Sequence, residues 1–278
     1  RAGLRVGMDV VYNHTPASGQ HEKSVLDRLV PGYYHRLDAS GQVEHSTCCD
    51  NTATEHAMMA KLMLDSVLVW AKDYRTDSFR FDLMGHQPRA AMQALQQRLK
   101  AETGRDIPLI GEGWNYGEVA NGARFVQASQ LSLNGSGIGA FSDRGRDAVR
   151  GGGASDSGEA LATARGWIHG PRGEPRLDGP LADGVRVGLA GALRSYRMKD
   201  ASGNERALAD IVYGGNQPAG FASQPAETVN YVENHDNHTL FDISAQRLPV
   251  DTSPEDRARV QTLGAAVVAF SQGVAYFH

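Results

Sequence analysis

The sequence predicts an α/β fold built on a parallel sheet. Short runs rich in branched apolar residues alternate along the chain with segments of helical periodicity, as in βαβ units. Polar residues cluster where predicted strands end, as at Asp82, Glu112 and Asp236. No Gly-rich phosphate loop stands between a strand and a helix, which disfavours a doubly wound sheet. A (β/α)8 barrel, whose strand ends all open on one catalytic face, accounts for the pattern better.

The composition is that of an ordinary globular protein. The 278 residues are 41% hydrophobic and 22% charged, which excludes a disordered tail, a collagen and a coiled coil. Apolar runs are far shorter than the roughly 20 residues that span a bilayer. The net charge of −4 argues against nucleic acid or an anionic membrane as partner. A neutral substrate would suit such a surface.

The first half of the chain contains three predicted elements. Leu4–Tyr12, rich in branched residues, is predicted to be a buried strand. Thr54 is the predicted N-cap of a helix. Ser78–Asp82 is a short strand. The helix after Thr54 presents one apolar stripe to a core, made of Met59, Leu62, Met63, Val67 and Trp70.

Further elements follow the same alternation. A helix from about Arg89 to Lys100 is ended by Gly104, and Ile107–Glu112 is the next strand. Thr228–His235 is a strand. Ser253, with Pro254 at the first helical position, caps a helix that extends to Ala269.

Two regions are less regular. Residues 134–153 and 170–191 are rich in glycine and are predicted to be loops around one further strand and some short helices. Adjacent cysteines can bond only with strain, so we expect Cys48 and Cys49 to be thiols packed as small hydrophobic residues.

Arg80-Phe-Asp82 is the first motif that can carry chemistry. The period of two places Arg80 and Asp82 on one side of a strand and Phe79 and Phe81 on the other. The arginine would keep the aspartate ionised, and an ionised, positioned carboxylate can attack carbon. A structural ion pair is the alternative interpretation of this motif taken alone.

Glu112 ends the next strand and is followed closely by Trp114. An indole supplies an apolar wall and a face for a sugar ring, and desolvation beside it would suit a general acid. Taken alone, Glu112 could equally be a surface residue in a turn.

His14, His235 and Asp236 also fall at strand ends. Each could bind sugar hydroxyls, although a single histidine more often caps a helix or packs in the core. Together with Arg80, three acids and two histidines gather at four strand ends. Two carboxylates in different environments are typical of glycoside hydrolysis, with retention or inversion set by their separation.

These blocks, in this order, resemble the four signature regions of the α-amylase superfamily, glycoside hydrolase family 13. The segments Asp9–His14, Phe79–Asp82, Gly111–Trp114 and Val232–Asn237 carry the likeness. Others narrow it to the pullulanase and limit dextrinase branch, which cleaves α-1,6 branch linkages. These segments are 24–34, 48–56, 81–86, 137–144 and 146–152.

The resemblance implies a role for each site residue. Asp82 would be the nucleophile, Glu112 the general acid/base and Asp236 the stabiliser of the oxocarbenium-like transition state. The resemblance also implies that four residues bind or position substrate, namely His14, Arg80, Trp114 and His235. Asn115 and Ser78 stand where the branch usually has Asp and Gly.

The resemblance also implies an incomplete catalytic domain. Residues 1–278 would supply strands three to eight of a partial (β/α)8 barrel that is not closed. Long loops are expected at about 14–53 and 134–227. The N-terminal carbohydrate-binding domains and C-terminal β domain of the family would be absent, and we expect the segment alone to be inactive.

The expected partner is a branched α-glucan such as pullulan, amylopectin or a limit dextrin. No cofactor is required and no metal ligands are predicted, although the sequence is compatible with a structural Ca²⁺. Relatives are secreted or periplasmic in bacteria and plastidic in plants. Three alternatives stay open: α-1,4 hydrolysis or glucosyl transfer, a non-catalytic glucan-binding protein, and a metal-dependent barrel enzyme, which the Arg80 cation disfavours.

Overall fold

The computed structural model describes residues 2–170 and 179–278. The chain divides into two compact units, Arg1–Ala140 and Phe141–His278. Strands and helices alternate in both, as the sequence predicts.

Unit 1 contains a run of adjacent parallel strands. Strand β1 (Gly7–Val10) pairs with β2 (Ser78–Phe81), and β2 pairs with β3 (Leu109–Gly111). Residues Gly139 and Ala140 of β4 (Gly139–Phe141) pair with β3. Because every pair is parallel, the carboxyl ends of these strands lie along one edge.

Helices cover this sheet in the order that βαβ units require. The helices of unit 1 are α1 (Leu26–Leu29), α2 (Ala57–Lys72) and α3 (Arg89–Thr103). Gly104 ends α3 in the left-handed conformation with φ of 67°, as predicted. Two 3₁₀ segments, Met84–His86 and Gly117–Gly122, follow β2 and β3, and a short antiparallel ladder joins His14–Thr15 to Asp50–Asn51.

Unit 2 repeats the alternation with shorter strands. Strand β5 (Thr228–Asn230) pairs in parallel with β6 (Val274–Ala275). The Ser142 amide, directly after β4, donates to the Val229 carbonyl at 2.9 Å. Antiparallel ladders join Arg197–Lys199 to Glu205–Ala207 and Val212–Tyr213 to Gln217–Pro218.

In the described part of unit 2, five helices surround the core. They are α4 (Asp143–Arg150), α5 (Glu159–Thr163), α6 (Pro180–Leu189), α7 (Leu240–Arg247) and α8 (Pro254–Phe270). The Ser253 hydroxyl accepts from the Asp256 amide, which confirms the predicted cap of α8. The 3₁₀ segments are Trp167–His169, Leu208–Asp210, Gly214–Asn216 and Pro225–Glu227.

The fold class is confirmed as α/β with parallel strands in the order of a partial (β/α)8 barrel. Among the described strands β1 pairs with β2 alone and β6 with β5 alone, so the sheet is not closed. The open edge explains why the predicted burial of Leu4–Tyr12 is wrong. The strand there covers only Gly7–Val10, and Leu4 and Val6 are 85% and 64% exposed.

Two other predictions are wrong. Thr54 does not cap α2, because its hydroxyl donates instead to the carbonyl of His86 at 3.2 Å. Cys48 and Cys49 are not packed thiols but form a disulfide. In unit 1 Cys48 is exposed and Cys49 is half-buried.

The irregular region predicted at 170–191 contains one of the short helices that were expected there. Positions 171–178 lie outside the described residues, but α6 occupies Pro180–Leu189. The glycines of α6 do not mark an irregular segment; they allow α6 to pack closely against α4. A Cβ at Gly184 would lie 2.4 Å from Ala148 Cβ, and one at Gly188 would lie 3.0 Å from Gly145 Cα.

Because of this contact, a substitution that favours helix formation is expected to lower the stability of the protein. Gly184→Ala improves intrinsic helix propensity by about 1 kcal/mol. We nevertheless expect a net loss of roughly 1–3 kcal/mol in the free energy of unfolding, because the new methyl group overpacks the α4–α6 contact.

Denaturant titration of the variant measures this loss. Gly214→Ala is the matched control, because a Cβ there meets nothing within 4 Å. Equal stability of the Gly184→Ala variant and the control would contradict the packing argument.

Candidate active site

Arg80 is the centre of the site in unit 1. Its side chain is 12% exposed, and its Nη1 donates to Asp9 at 2.9 Å and to Asp82 at 3.0 Å. Its Nη2 lies 3.1 Å from Glu112 Oε2. One guanidinium therefore holds three carboxylates that come from β1 and from the ends of β2 and β3.

Strand register produces this arrangement. Asp9 is the direct partner of Arg80 in the β1–β2 pair. Phe79 and Phe81 are both 0% exposed, so Arg80 and Asp82 project from the opposite face, as predicted. Burial alone would lower the pKa of the Arg80 guanidinium, but Glu112, Asp9 and Asp82 raise it above its ordinary value. Arg80 is thus a permanent cation in the site.

Glu112 is buried, but its neighbours differ from the apolar walls that the sequence suggests. Its Oε2 accepts from the Leu83 amide at 2.9 Å, in addition to the contact with Arg80. Trp114 is half-buried on the loop that follows. Its backbone carbonyl accepts from Gln127 Nε2 at 3.2 Å, which helps to fix that loop.

The loops after β2 and β3 approach each other very closely at Gly85. The Gly85 amide donates to the Glu112 carbonyl at 2.8 Å. Gln127 Nε2 donates to the Gly85 carbonyl at 3.0 Å as well as to Trp114. A Cβ at position 85 would lie 2.3 Å from the Trp114 oxygen, so only glycine permits this approach.

Asn13 connects His14 to Asp82 by hydrogen bonds. With the Asn13 amide nitrogen turned toward Asp82, it donates to Asp82 Oδ2 at 3.2 Å and its oxygen accepts from His14 Nδ1 at 2.8 Å. Burial lowers the pKa of His14, although the Asp82 charge acts in the opposite direction. His14 is therefore a neutral ring held beside Asp82 in a defined orientation.

A second buried layer, which the sequence analysis missed, stands behind these residues. The Arg36 side chain is 1% exposed and forms two hydrogen bonds, of 3.0 and 2.8 Å, with the Glu55 carboxylate. It also donates to Glu118 at 2.7 Å and to the His86 carbonyl at 3.1 Å. Glu118 accepts further bonds from Ser46 and from Asn51. Contacts so distant along the chain leave no local sequence pattern.

His86 and Tyr116 connect this layer to the acids. Their rings meet edge to face with centroids 4.9 Å apart. Burial, together with the charges of Glu112 and Asp82, raises the pKa of Tyr116 to about 12. Burial lowers the pKa of His86 to about 4. The sequence analysis did not name Tyr116. Its position two residues after Trp114, on the loop that follows Glu112, is the signal that could have identified it.

The remaining predicted residues lie in unit 2. His235 Nε2 lies 3.4 Å from Asp236 Oδ1, and both side chains are nearly half exposed. The Asp236 amide donates to Asn234 Oδ1 at 3.1 Å, which fixes the turn after β5. Arg150 donates to the Val232 carbonyl at 3.2 Å and to Asn237 Oδ1 at 3.1 Å. The Asp236 carboxylate and the His235 imidazole thus face solvent, while the residues that support the turn are buried.

The chain is similar over nearly its whole length to curated pullulanases. Pullulanase 1, chloroplastic, of Arabidopsis thaliana is 42% identical over 99% of this chain and 30% of that protein. A Klebsiella aerogenes pullulanase is 45% identical over 99% of this chain and 26% of that protein. The chain thus spans less than a third of the length of these relatives. No protein-family model matches it.

Solved structures give the same result. PulA from Klebsiella oxytoca superimposes with a TM-score of 0.91 at 44% identity, over 98% of this chain and 26% of that one. A Klebsiella pneumoniae pullulanase complexed with maltotriose gives a TM-score of 0.89 at 43% identity, over the same shares. Within residues 2–170 and 179–278, no helix combines the length and apolar character needed to cross a membrane.

The low pKa of His86 predicts that acid destabilises the protein. The unfolded chain takes up a proton near pH 6.5, whereas the folded ring stays neutral until about pH 4. Stability is therefore lost as pH falls between these values, by up to about 3 kcal/mol from this group.

Denaturant titrations from pH 8 to pH 4 test this in the wild type and in His86→Gln. The variant should show a shallower decline in the free energy of unfolding over this range. Identical slopes would mean that His86 is not held neutral. Comparing slopes cancels the cost of the substitution itself and the contribution of other histidines.

Proposed function

Because this chain belongs to the pullulanase-type enzymes of the α-amylase superfamily, we propose that it carries the catalytic residues of a retaining α-1,6-glucan hydrolase. Its substrates would be branched α-glucans such as pullulan, amylopectin or limit dextrins. The observation that carries the proposal is the binding of both Asp82 and Glu112 by one arginine at neighbouring strand ends.

Asp82 is assigned as the nucleophile. Its carboxylate contacts Arg80 and, through Asn13, belongs to the same hydrogen-bonded group as His14. These contacts fix the direction of the carboxylate, as attack on an anomeric carbon requires. The product of that attack is a covalent glycosyl-enzyme, with the sugar oxygen of the branch point as leaving group.

Glu112 is assigned as the general acid and then the general base. In the free protein its carboxylate contacts Arg80, so this ion pair must open as the sugar enters if Glu112 is to carry a proton. Glu112 then protonates the leaving oxygen, and in the second step it removes a proton from the water that releases the product.

Four residues are assigned to binding and charge stabilisation. Asp236 stabilises positive charge on the sugar, on the likeness of Val232–Asn237 to the fourth signature region. His14 and His235 bind hydroxyls, and Trp114 offers an indole face to a glucose ring.

Neither a cofactor nor a catalytic metal enters the proposed reaction. A structural Ca²⁺ is compatible with it but plays no part in the chemistry. The chloroplastic relative in plants makes a plastid one candidate location, beside the secreted or periplasmic location expected in bacteria.

Pullulan distinguishes the proposed linkage from its alternatives. The full-length protein that carries this sequence should release maltotriose from pullulan and leave linear amylose uncut. The first product seen by proton NMR should be the α-anomer, because two inversions give retention. Cleavage of amylose, or the appearance of longer products, would favour α-1,4 hydrolysis or glucosyl transfer, and binding without turnover would favour a glucan-binding protein.

Substitution of the two acids tests their separate roles. Asp82→Asn should lower kcat by about 10⁴-fold or more, because no carboxylate is left to attack the anomeric carbon. Glu112→Gln should lower it by about 10²–10⁴-fold, and less for substrates with good leaving groups.

The control for this series is Asp106→Asn, which alters a surface carboxylate whose side chain is 88% exposed. It should leave kcat unchanged. Full activity of Asp82→Asn, with folding confirmed by circular dichroism, would refute the nucleophile assignment.

A further inference from the structure

His14, Cys48 and Cys49 form a group that the proposed reaction does not explain. Their ligand atoms, one imidazole nitrogen and two sulfurs, all lie within 4.8 Å of one another. His14 Nε2 is 3.4 Å from Cys48 Sγ. Cys48 is exposed, and the other two residues are half-buried, so solutes can reach the sulfurs.

The backbone fixes this group. His14 and Thr15 pair with Asn51 and Asp50 in an antiparallel ladder, and the cysteines just before Asp50 lie close to His14. The Thr47 hydroxyl bonds Asn51 Oδ1 at 2.5 Å and accepts from the Cys49 amide at 3.4 Å. The cysteines thus lie on a hydrogen-bonded turn that leads into Asp50–Asn51, the strand that pairs with His14 and Thr15.

The imidazole is also oriented for ligation. Because Asn13 accepts from Nδ1, the lone pair of His14 lies on Nε2, which is the atom that faces Cys48. A metal-binding histidine usually has its second nitrogen fixed in this way by a neighbouring acceptor.

The separation of donors suits a small, thiophilic cation. With Zn–S near 2.3 Å and Zn–N near 2.05 Å, a tetrahedral site separates sulfur from nitrogen by about 3.6 Å. The observed 3.4 Å between His14 Nε2 and Cys48 Sγ is close to this value. The exposure of Cys48 leaves room for water as a fourth ligand.

We propose that, once the Cys48–Cys49 disulfide is reduced, the two thiolates and His14 bind a thiophilic divalent cation such as Zn²⁺ or Cd²⁺. A dithiol reductant supplies two electrons and two protons to the disulfide and itself becomes a cyclic disulfide. The metal then displaces one proton from each thiol. Metal at this site engages His14 Nε2, so it also removes His14 from sugar binding, a consequence that rests on the proposed function.

Cadmium binding to the reduced protein tests the site without reference to activity. The full-length protein is treated with dithiothreitol, desalted without oxygen and titrated with Cd²⁺. The thiolate-to-cadmium absorption band in the ultraviolet is recorded against an identically treated Cys48→Ser/Cys49→Ser variant, which cancels signals from other thiols. One additional equivalent should bind to the wild type only, and none should bind at this site before reduction.

His14→Gln tests the third ligand. This variant should keep the cadmium band but bind Cd²⁺ at least about tenfold more weakly. Unchanged affinity would remove His14 from the ligand set. Identical difference spectra for the wild type and the double serine variant would overturn the whole proposal.

Glucan hydrolysis tests the consequence for activity. Cd²⁺ should inhibit the reduced wild type, leave the oxidised wild type unaffected and leave the double serine variant active. No hydrolysis in any metal-free sample would refute the proposed function but not the metal site. Hydrolysis that is insensitive to bound Cd²⁺, with the band present, would refute the engagement of His14.

Discussion

The site depends on the contact of one guanidinium with three carboxylates. Asp9, Asp82 and Glu112 arise from adjacent parallel strands, and without a cation their charges would repel at close range. Arg80 can meet all three because register places Asp9 beside it and Asp82 two residues later on the same face. The sheet and the candidate chemistry therefore depend on the same side chain.

Behind the site, a second arginine likewise holds several carboxylates. Arg36 is buried with Glu55 and Glu118 and bonds the carbonyl of His86, which belongs to the turn directly after Asp82. A buried ion pair repays its desolvation only when its hydrogen bonds are well satisfied, as they are here. Such a network favours one conformation of the turn over its alternatives and so limits the movement of Asp82.

Sequence reasoning succeeded where a local rule decides the outcome. Alternation alone placed Phe79 and Phe81 in the core and Arg80 beside Asp82, and side-chain chemistry alone identified the cap at Ser253. It failed where partners distant in the chain decide. The bond from Thr54 to His86, the layer around Arg36 and the tight packing of the glycines in α6 all depend on tertiary contacts that no short window contains. The Cys48–Cys49 bond escaped prediction because the strain expected between adjacent cysteines argued against it.

The close approach at Gly85 has a practical consequence for protein engineering. Directed-evolution libraries aimed at Trp114 would naturally randomise its neighbours. Any side chain at position 85 must push the Trp114 backbone away and disturb the hydrogen bond to the Glu112 carbonyl. Diversity is better introduced on the solvent side of that loop, where a new shape can be accommodated while the acid stays in place.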